Sequence, residues 1–528
     1  MEVHRIPYAD TGRFSAAVLD HLSSAPFIRE FLPLSPDLAG IRAAAASRTF
    51  PSAHRATLVT ALERQYSGVA IHPAVRSNLE RLRHELTLTV TTGHQLCLFT
   101  GPLYVPYKVL NTIRLAIDAE KALGRAVVPV FWMASEDHDA AEIDHAVVNG
   151  QVIQWPGNGG GPVGRMLLSG ITKQVEEVVK AMGPGVDAAR LTDLLRTCYT
   201  EDKTLAEATR LFIHALFGHH GLVIVDGDDP ELKRLFLPVI QEELINQVAQ
   251  RTVSYANDRI KERYPIQAHA REINLFHLRP GHRSRIVTDG DHYQALDGGP
   301  RWTLDELLVQ TQLRPQDFSP NVLLRPIYQE TILPNIAYVG GGGELAYWLQ
   351  LRWLFQGLRV PMPVFFLRTS AGSISAKHLR QWNELGLNGT ALFAPLDPLR
   401  TKLVKERTQH PVDLAQERDR LMDVYREILQ RASSADPTLK GATEARRAQA
   451  LRGLDRLEAA MLRAAKRDQE VLVRRMGAIH VALFPNGGLQ ERRDNILPAL
   501  ASKGLLYLER LLEVLDPMDP HFTLIVED

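Results

Sequence analysis

The period of the apolar positions changes several times along this chain, and each change marks an element. Residues 1–86 read as mainly helical: Phe27, Phe31 and Leu32 punctuate a proline-flanked packing layer, and Val69–Leu86 leads as a helix into a first strand. Thr87–Thr91 is that strand, a β-rich run ending on Thr92-Gly93. A polar loop follows with His94, Gln95 and Thr100-Gly101-Pro102. Leu103, Tyr107, Leu110, Ile113 and Ile117 then recur at steps of three and four until Gly124 stops the helix. Val127–Met133 is continuously apolar, as expected of a parallel strand buried on both faces, and it ends in Ser135-Glu136-Asp137-His138-Asp139. Strand, loop, helix and strand make a βαβ unit, whose ligands sit outside the carboxyl ends of the strands.

The same alternation returns downstream. Ala146–Trp155 and Gly164–Leu168 read as a hairpin around Pro156–Gly164, and Val175–Cys198 and Thr204–Phe217 as helices. Leu222–Val225 is a short buried strand running into Asp226, Asp228 and Asp229, with Asp229-Pro230 a good helix start. Glu231–Ile260 reads as helical. Ile273–Leu278 and Arg285–Thr288 form an inserted antiparallel hairpin. Leu333–Val339 runs into the glycines 340–343 and Glu344, Leu345–Leu358 is helical, and Val360–Leu367 runs into Arg368-Thr369-Ser370. Buried strands alternating with helices predict an α/β fold with a doubly wound parallel sheet, interrupted by β/α insertions near 150–220 and 260–320.

Near residue 400 the pattern becomes heptad-like. Leu414, Leu421 and Ile428 keep a seven-residue step, Asp436-Pro437 breaks it, and Leu454, Leu457, Met461 and Ala464 resume it, predicting an antiparallel helical coiled coil. The expected division is a core over 1–390, the coiled coil over 391–478, and a segment over 479–528 packing back on the core. A heptad stripe this short points to a homodimer formed through the coil.

Candidate chemistry collects at the strand ends. The first loop precedes a helix N-terminus, whose free N–H groups favour phosphate or carboxylate. Thr92, Gly93, His94, Gln95, Gly101, Tyr104 and Lys108 are its candidate ligand-binding residues, with His94 and Lys108 adding charge toward a nucleotide's phosphates. Cys97, between apolar neighbours, reads as a buried thiol. Glu136, Asp137, His138 and Asp139 suit an amine-binding and general-base site; with Glu142 and His145 they also have the residue types of a metal site, though not the HExxH spacing. Gly340, Gly341 and Glu344 open a helix after a strand without making GxGxxG, and no Gly-Lys dipeptide exists for a Walker loop. Arg368, Ser370 and Lys377 suit a polyphosphate leaving group.

Composition narrows the classes. Lys+Arg and Asp+Glu both number 61 in 528 residues, so no bulk attraction to nucleic acid or an acidic membrane is expected. Two cysteines exclude a disulfide framework and fit a reducing cytoplasm. No stretch approaches the ~18 apolar residues of a membrane span.

The strings TGHQLCLFTGPLYVPYK, PVFWMASEDHDAAEIDH, FSPNVLLRPIYQETILPNIAYVGGGGELAYWLQL, MPVFFLRTS and LFPNGGLQER together resemble the cysteine-adding enzymes of bacillithiol biosynthesis, across nearly the whole chain. The resemblance implies a core like that of class I aminoacyl-tRNA synthetases, with a Rossmann-like sheet, connecting insertions and a dimerising coiled coil. By that analogy Thr92–Tyr104 and Arg368–Lys377 lie where the synthetases carry their two nucleotide signatures. It implies condensation of cysteine with glucosaminyl-malate through an amide bond, by a cytoplasmic ligase using ATP or another activating nucleotide, and no metal beyond magnesium carried by that nucleotide. A metal-dependent amidase using Glu136–His145 is the competing class.

Overall fold

A computed structural model describes residues 2–157, 160–407 and 412–527. They form two units, Met1–Gly372 with Gly488–Ile525, and Ser373–Gly487 with Val526–Asp528. The division thus falls earlier than the expected residue 390, within the strand Ala371–Ser375.

The first unit is built on five parallel strands: β1 (Leu88–His94), β2 (Val127–Met133), β3 (Val223–Asp226), β4 (Asn335–Gly340) and β5 (Val364–Leu367). Their spatial order is 3-2-1-4-5. This is the doubly wound order, and the chain reverses direction across the sheet between β1 and β4, which opens a crevice at their carboxyl ends. The apolar runs are continuous because both faces are covered. Leu88, Val90, Val339, Val364 and Phe366 pack with Ile41, Ala44, Leu115 and Ala119 on one side. Val128, Val130, Tyr338 and Phe365 join the larger core on the other. Between β1 and β2 runs α1 (Tyr104–Leu123), closed by Gly124 in the left-handed region at φ 64°. After β3 comes α2 (Pro230–Asn246), capped by Asp229, which accepts from Glu231 N at 2.9 Å. After β4 comes the short α3 (Gly342–Trp348).

Several elements are shorter than their apolar patterns suggest. The hairpin after β2 is His145–Val148 with Gln151–Gln154, closed at Asn149-Gly150 rather than near Pro156–Gly164; residues 158 and 159 of that expected turn lie outside the described residues. The helix expected over Glu231–Ile260 breaks at Gln247, whose φ of 46° no helix accommodates. Leu345–Leu358 likewise divides into α3 and Arg352–Gly357. The antiparallel insertion is larger than a hairpin. It is a five-stranded sheet in the order Arg301–Trp302, His292–Ala295, His282–Asp289, Leu275–Arg279, Phe318–Pro320.

In the second unit, α4 (Ala415–Ala435) and α5 (Leu439–Asp468) pack side by side across the Asp436-Pro437 break. Arg418 binds Asp455 at 2.6 Å between them.

Behind the crevice, β1 and β4 share a buried polar network. Thr89 and Thr91 hydroxyls donate to Asn335 Oδ1 at 3.2 and 2.9 Å, and Asn335 Nδ2 donates to Glu330 at 2.8 Å. Burial pushes the Glu330 carboxyl up to about 7, against the pull of Arg48, Asn335 and Gln329. A raised folded pKa means a contribution to stability that is complete below the ordinary value of 4.5 and lost as pH rises through about 7. The stability of wild type relative to Glu330→Gln should therefore fall between roughly pH 5 and pH 8. Denaturant unfolding of both proteins across that range checks this; a pH-independent difference rejects it.

Candidate active site

The carboxyl ends of β1, β2 and β4 open into a cleft of about 870 Å³. Its floor is organised by one cation. Lys108, one turn into α1, is buried and reaches back to Gly93 O at 2.6 Å and across to Glu344 Oε2 at 2.6 Å. Glu344 stands in the first turn of α3 and reaches back to accept from Gly341 N at 2.8 Å, while Tyr338 Oη donates to its other oxygen at 2.6 Å. Burial pulls the Lys108 ammonium below its ordinary value, with Glu344 working the other way. At Glu344 burial is outweighed by Lys108, Tyr338 and Gly341, which hold the carboxyl ionised and lowered.

His94 lines the cleft beside this pair. Its Nδ1 lies 3.0 Å from Gln95 O, which requires the proton on Nδ1, so Nε2 accepts from Tyr104 Oη at 3.2 Å. Burial and then Lys108 push its pKa down to about 4, so the ring is neutral near pH 7. Cys97 is buried, as its neighbours suggested, and burial and Glu142 push its thiol up to about 12. It is an inert thiol at neutral pH. Its Cβ stands where Gly101 (φ 66°) would carry one, 2.5 Å away, so Gly101 serves the turn and the close packing beneath it.

At the end of β2, Asp137 accepts from Gln95 Nε2 at 2.8 Å and His138 N at 2.8 Å, with Arg283 Nη1 at 3.5 Å. Burial opposes its charge, but the bonds from His138 and Gln95 and the Arg283 guanidinium hold it well below the usual carboxylate range. Glu136 turns the other way. It meets Lys233 of α2 at 2.7 Å, and Lys233 also meets Asp228 at 2.7 Å. Burial pushes the Glu136 carboxyl up against the pull of Lys233. Asp228 is bound on its other side by Arg165 at 2.6 Å.

Gly93, His94, Gln95, Tyr104, Lys108, Glu136, Asp137, Gly341, Glu344 and Arg368 line the cleft together. The other sequence candidates are placed differently. Thr92 donates to Val339 O at 2.8 Å and ties β1 to β4. Gly340 lies in the packed sheet, where a Cβ would meet the Phe365 ring at 2.6 Å. Ser370 donates its N–H to Tyr8 Oη at 2.9 Å. His138 is half-exposed beside Arg283 Nη1 (3.1 Å), and Asp139 is exposed before the short helix Ala140–Ile143. None of these five lines the cleft. Lys377 belongs to the other unit, in the helix Ala376–Asn383.

Arg368 and Lys108 are therefore not the free cations their strand-end positions suggest. Lys108 is committed to Gly93 and Glu344. Arg368 is buried and bound by both carboxylate oxygens of Glu491 at 3.0 and 2.7 Å, with its guanidinium 5.1 Å from the Tyr104 ring centroid. The cations without a paired carboxylate are others, although Arg325 donates to Gln329 at 3.0 Å and Tyr347 at 3.4 Å. Arg271, Arg285, Arg325 and Arg492 line the cleft and make no ion pair with a carboxylate among the described residues. Sequence reading missed them because most lie on the insertion wall or the C-terminal segment, far from any strand-end motif. One signal was present: Arg283 and Arg285 are two residues apart, so they share a face of the strand His282–Asp289.

The Glu136–His145 stretch does not assemble a metal site. Among the described residues the group of metal-ligating side chains close enough to share an ion is His219, His220 and Glu509. His145 instead pairs with Asp144 at 2.9 Å.

Residues 1–369 match the family model described as the N-terminal Rossmann-like domain of bacillithiol biosynthesis BshC, and residues 373–527 match that family's C-terminal coiled-coil domain. The chain belongs to the BshC family. Relatives named "Putative cysteine ligase BshC" include one from Flavobacterium johnsoniae, 34% identical over 98% of this chain and 99% of that protein. One from Cytophaga hutchinsonii is 35% identical over 98% and 97%. One from Geobacillus kaustophilus is 31% identical over 89% of each. No helix among the described residues of this BshC protein is long and apolar enough to cross a membrane.

The Lys108–Glu344 pair supplies a test of the floor. Glu344→Ala leaves a buried ammonium unpaired and should cost roughly 3–5 kcal/mol. Adding Lys108→Met should recover part of that loss. Urea unfolding of the single and double variants decides; an unchanged midpoint in Glu344→Ala means the pair does not hold the floor.

Proposed function

We propose that this chain joins cysteine to glucosaminyl-malate by an amide bond in the cleft at the carboxyl ends of β1, β2 and β4. Membership of the BshC family makes it a carbon–nitrogen ligase of bacillithiol biosynthesis. The observation that carries the finer reading is the pairing of opposites within one cleft: the ionised Asp137 on the floor, and Arg271, Arg285, Arg325 and Arg492 without carboxylate partners among the described residues. A carboxylate suits the cysteine ammonium. Guanidinium groups suit the two malate carboxylates and the phosphates of an activating nucleotide, which they bind in bidentate fashion.

The chemistry follows from the bonds exchanged. In the activation, a cysteine carboxylate oxygen attacks a phosphorus of ATP or another nucleotide, the P–O bond to the departing phosphate group breaks, and a mixed acyl–phosphate anhydride forms. The neutral glucosamine nitrogen then attacks the carbonyl carbon, the C–N bond forms, the C–O bond to phosphate breaks, and one proton leaves the nitrogen. Asp137, held by Gln95 and Arg283, fixes the cysteine. His138, beside the cleft rather than in its lining, half-exposed and 3.4 Å from Asp137, takes the proton by way of water and passes it to solvent. Cys97 and Cys198 are buried free thiols, in keeping with a reducing cytoplasm.

Asp137→Asn and His138→Ala should fold normally and lose product formation by roughly 10²–10⁴-fold, the range of general acid–base groups. Turnover measured with cysteine, glucosaminyl-malate and ATP checks this, with circular dichroism as the control for folding. Near-normal turnover in both variants rejects the assignment.

We also propose that the coiled coil forms a homodimer. None of the side chains of α4 is buried, and Met422, Val424, Ile428, Leu439 and Leu457 are exposed along the hairpin. A lone two-helix hairpin with such a stripe lacks a core, and a second copy supplies one. Light scattering should give twice the chain mass at micromolar concentration; a monomer overturns this.

A further inference from the structure

A second group of convergent side chains stands at the other edge of the sheet. The helix Leu205–Phe217 ends in a tight turn, Gly218–His220, and Gly221 at φ 75° leads the chain into β3. The turn is fixed from below. Asn78 Nδ2 donates to Gly221 O at 2.7 Å, and a Cβ on Gly221 would meet Asn78 at 2.4 Å. In this turn the neighbouring imidazoles of His219 and His220 lie with ring centroids 4.0 Å apart. Both face one carboxylate of the helix Tyr507–Val514. Glu509 Oε1 is 2.7 Å from His219 Nε2 and 3.1 Å from His220 Nε2. The three donor atoms lie within 4.8 Å of one another.

Hydrogen bonding satisfies only half of this arrangement. His219 Nε2 bonds Glu509, but His220 Nε2 is buried and, though 3.1 Å from the same oxygen, makes no well-formed hydrogen bond among the described residues. A buried ring nitrogen without a partner is costly. A cation placed between the three donors would satisfy both rings and the carboxylate at once. At the usual bond lengths of about 2.0–2.1 Å, tetrahedral donors stand roughly 3.3 Å apart. The two nitrogen–oxygen separations need to open by only a fraction of an ångström.

We propose that His219, His220 and Glu509 bind a divalent transition-metal ion of the zinc class. Two imidazoles and a carboxylate are the donors such ions take, whereas magnesium and calcium require oxygen throughout. Glu509 and His219 are partly exposed, which leaves a fourth position for water. The group precedes β3, at the amino ends of the strands, while the ligation cleft lies at their carboxyl ends. The ion is therefore a clasp, not a catalyst. It ties the turn before β3 to the C-terminal segment, 290 residues away in sequence, and that same segment carries Glu491 to Arg368.

The test uses the untagged full-length protein, dialysed with zinc, with bound metal counted by mass spectrometry and affinity measured by competition with a chromophoric chelator. Wild type should hold one zinc ion per chain. His219→Ala, His220→Ala and Glu509→Gln should each weaken binding at least about tenfold, and zinc should raise the melting temperature of wild type but not of the variants. Glu509→Gln, at a partly exposed position, serves where a histidine variant fails to fold. No zinc bound by wild type, or equal binding by Glu509→Gln, overturns the proposal; in the first case the three side chains are only a hydrogen-bonded surface group, and in the second the ion sits elsewhere.

Discussion

A lysine ammonium buried where the strand order reverses constrains everything around it. Lys108 is buried, so its ammonium must find its partners in the protein, and it finds them on both sides of the switch point: Gly93 O at the end of β1 and Glu344 in the first turn after β4. A buried ion pair of this kind adds little net stability over well-packed apolar residues, because desolvation offsets most of the attraction. What it adds is position. Breaking it leaves an unpaired charge, so the ends of β1 and β4 and the start of α3 are held in one arrangement. The crevice stays open between them, instead of closing by local collapse.

The same logic runs round the rim. Arg368 at the end of β5 is matched by Glu491, which also accepts from Ala371 N at 2.8 Å. Glu136 at the end of β2 and Asp228 after β3 share Lys233. The first loop is held by the C-terminal segment, where Asn495 Nδ2 donates to Phe99 O and Gly101 O, both at 2.8 Å. Charges at the strand ends are thus largely consumed in fixing the floor. Asp137 is less fully consumed, since its partners Gln95 and Arg283 leave it lining the cleft.

The fold was largely legible because both-face burial writes a strong signal: Val127–Met133 and the run before Gly340 can be little else than central parallel strands. Element ends were less legible. Gln247 gives no turn signal in sequence, yet adopts a positive φ and splits a helix. For the site, residue types at strand ends located the cleft, because the topology places those ends together. They misjudged the charges. A Lys or Arg beside a glycine loop reads the same whether it faces a ligand or an internal carboxylate, and Glu491, in sequence 123 residues from Arg368, decides the matter only in three dimensions. The pairing of Lys108 with Glu344 was hidden in the same way.

A division of labour results between floor and wall. The floor is paired and close to neutral; the wall, built by the inserted antiparallel sheet and its neighbours, holds the guanidinium groups that lack carboxylates among the described residues. Arg283 joins the two. Its guanidinium packs 4.1 Å from the Phe276 ring centroid and donates to Pro320 O at 2.9 Å, both within the insertion, while it faces Asp137 on the floor. Displacing the wall would therefore remove a cation from Asp137 and raise its pKa, and with it the strength of its hold on an ammonium. In the proposed reaction, recognition of an anion by the wall and of an amine by the floor are coupled through that one side chain, without any need for the floor itself to move.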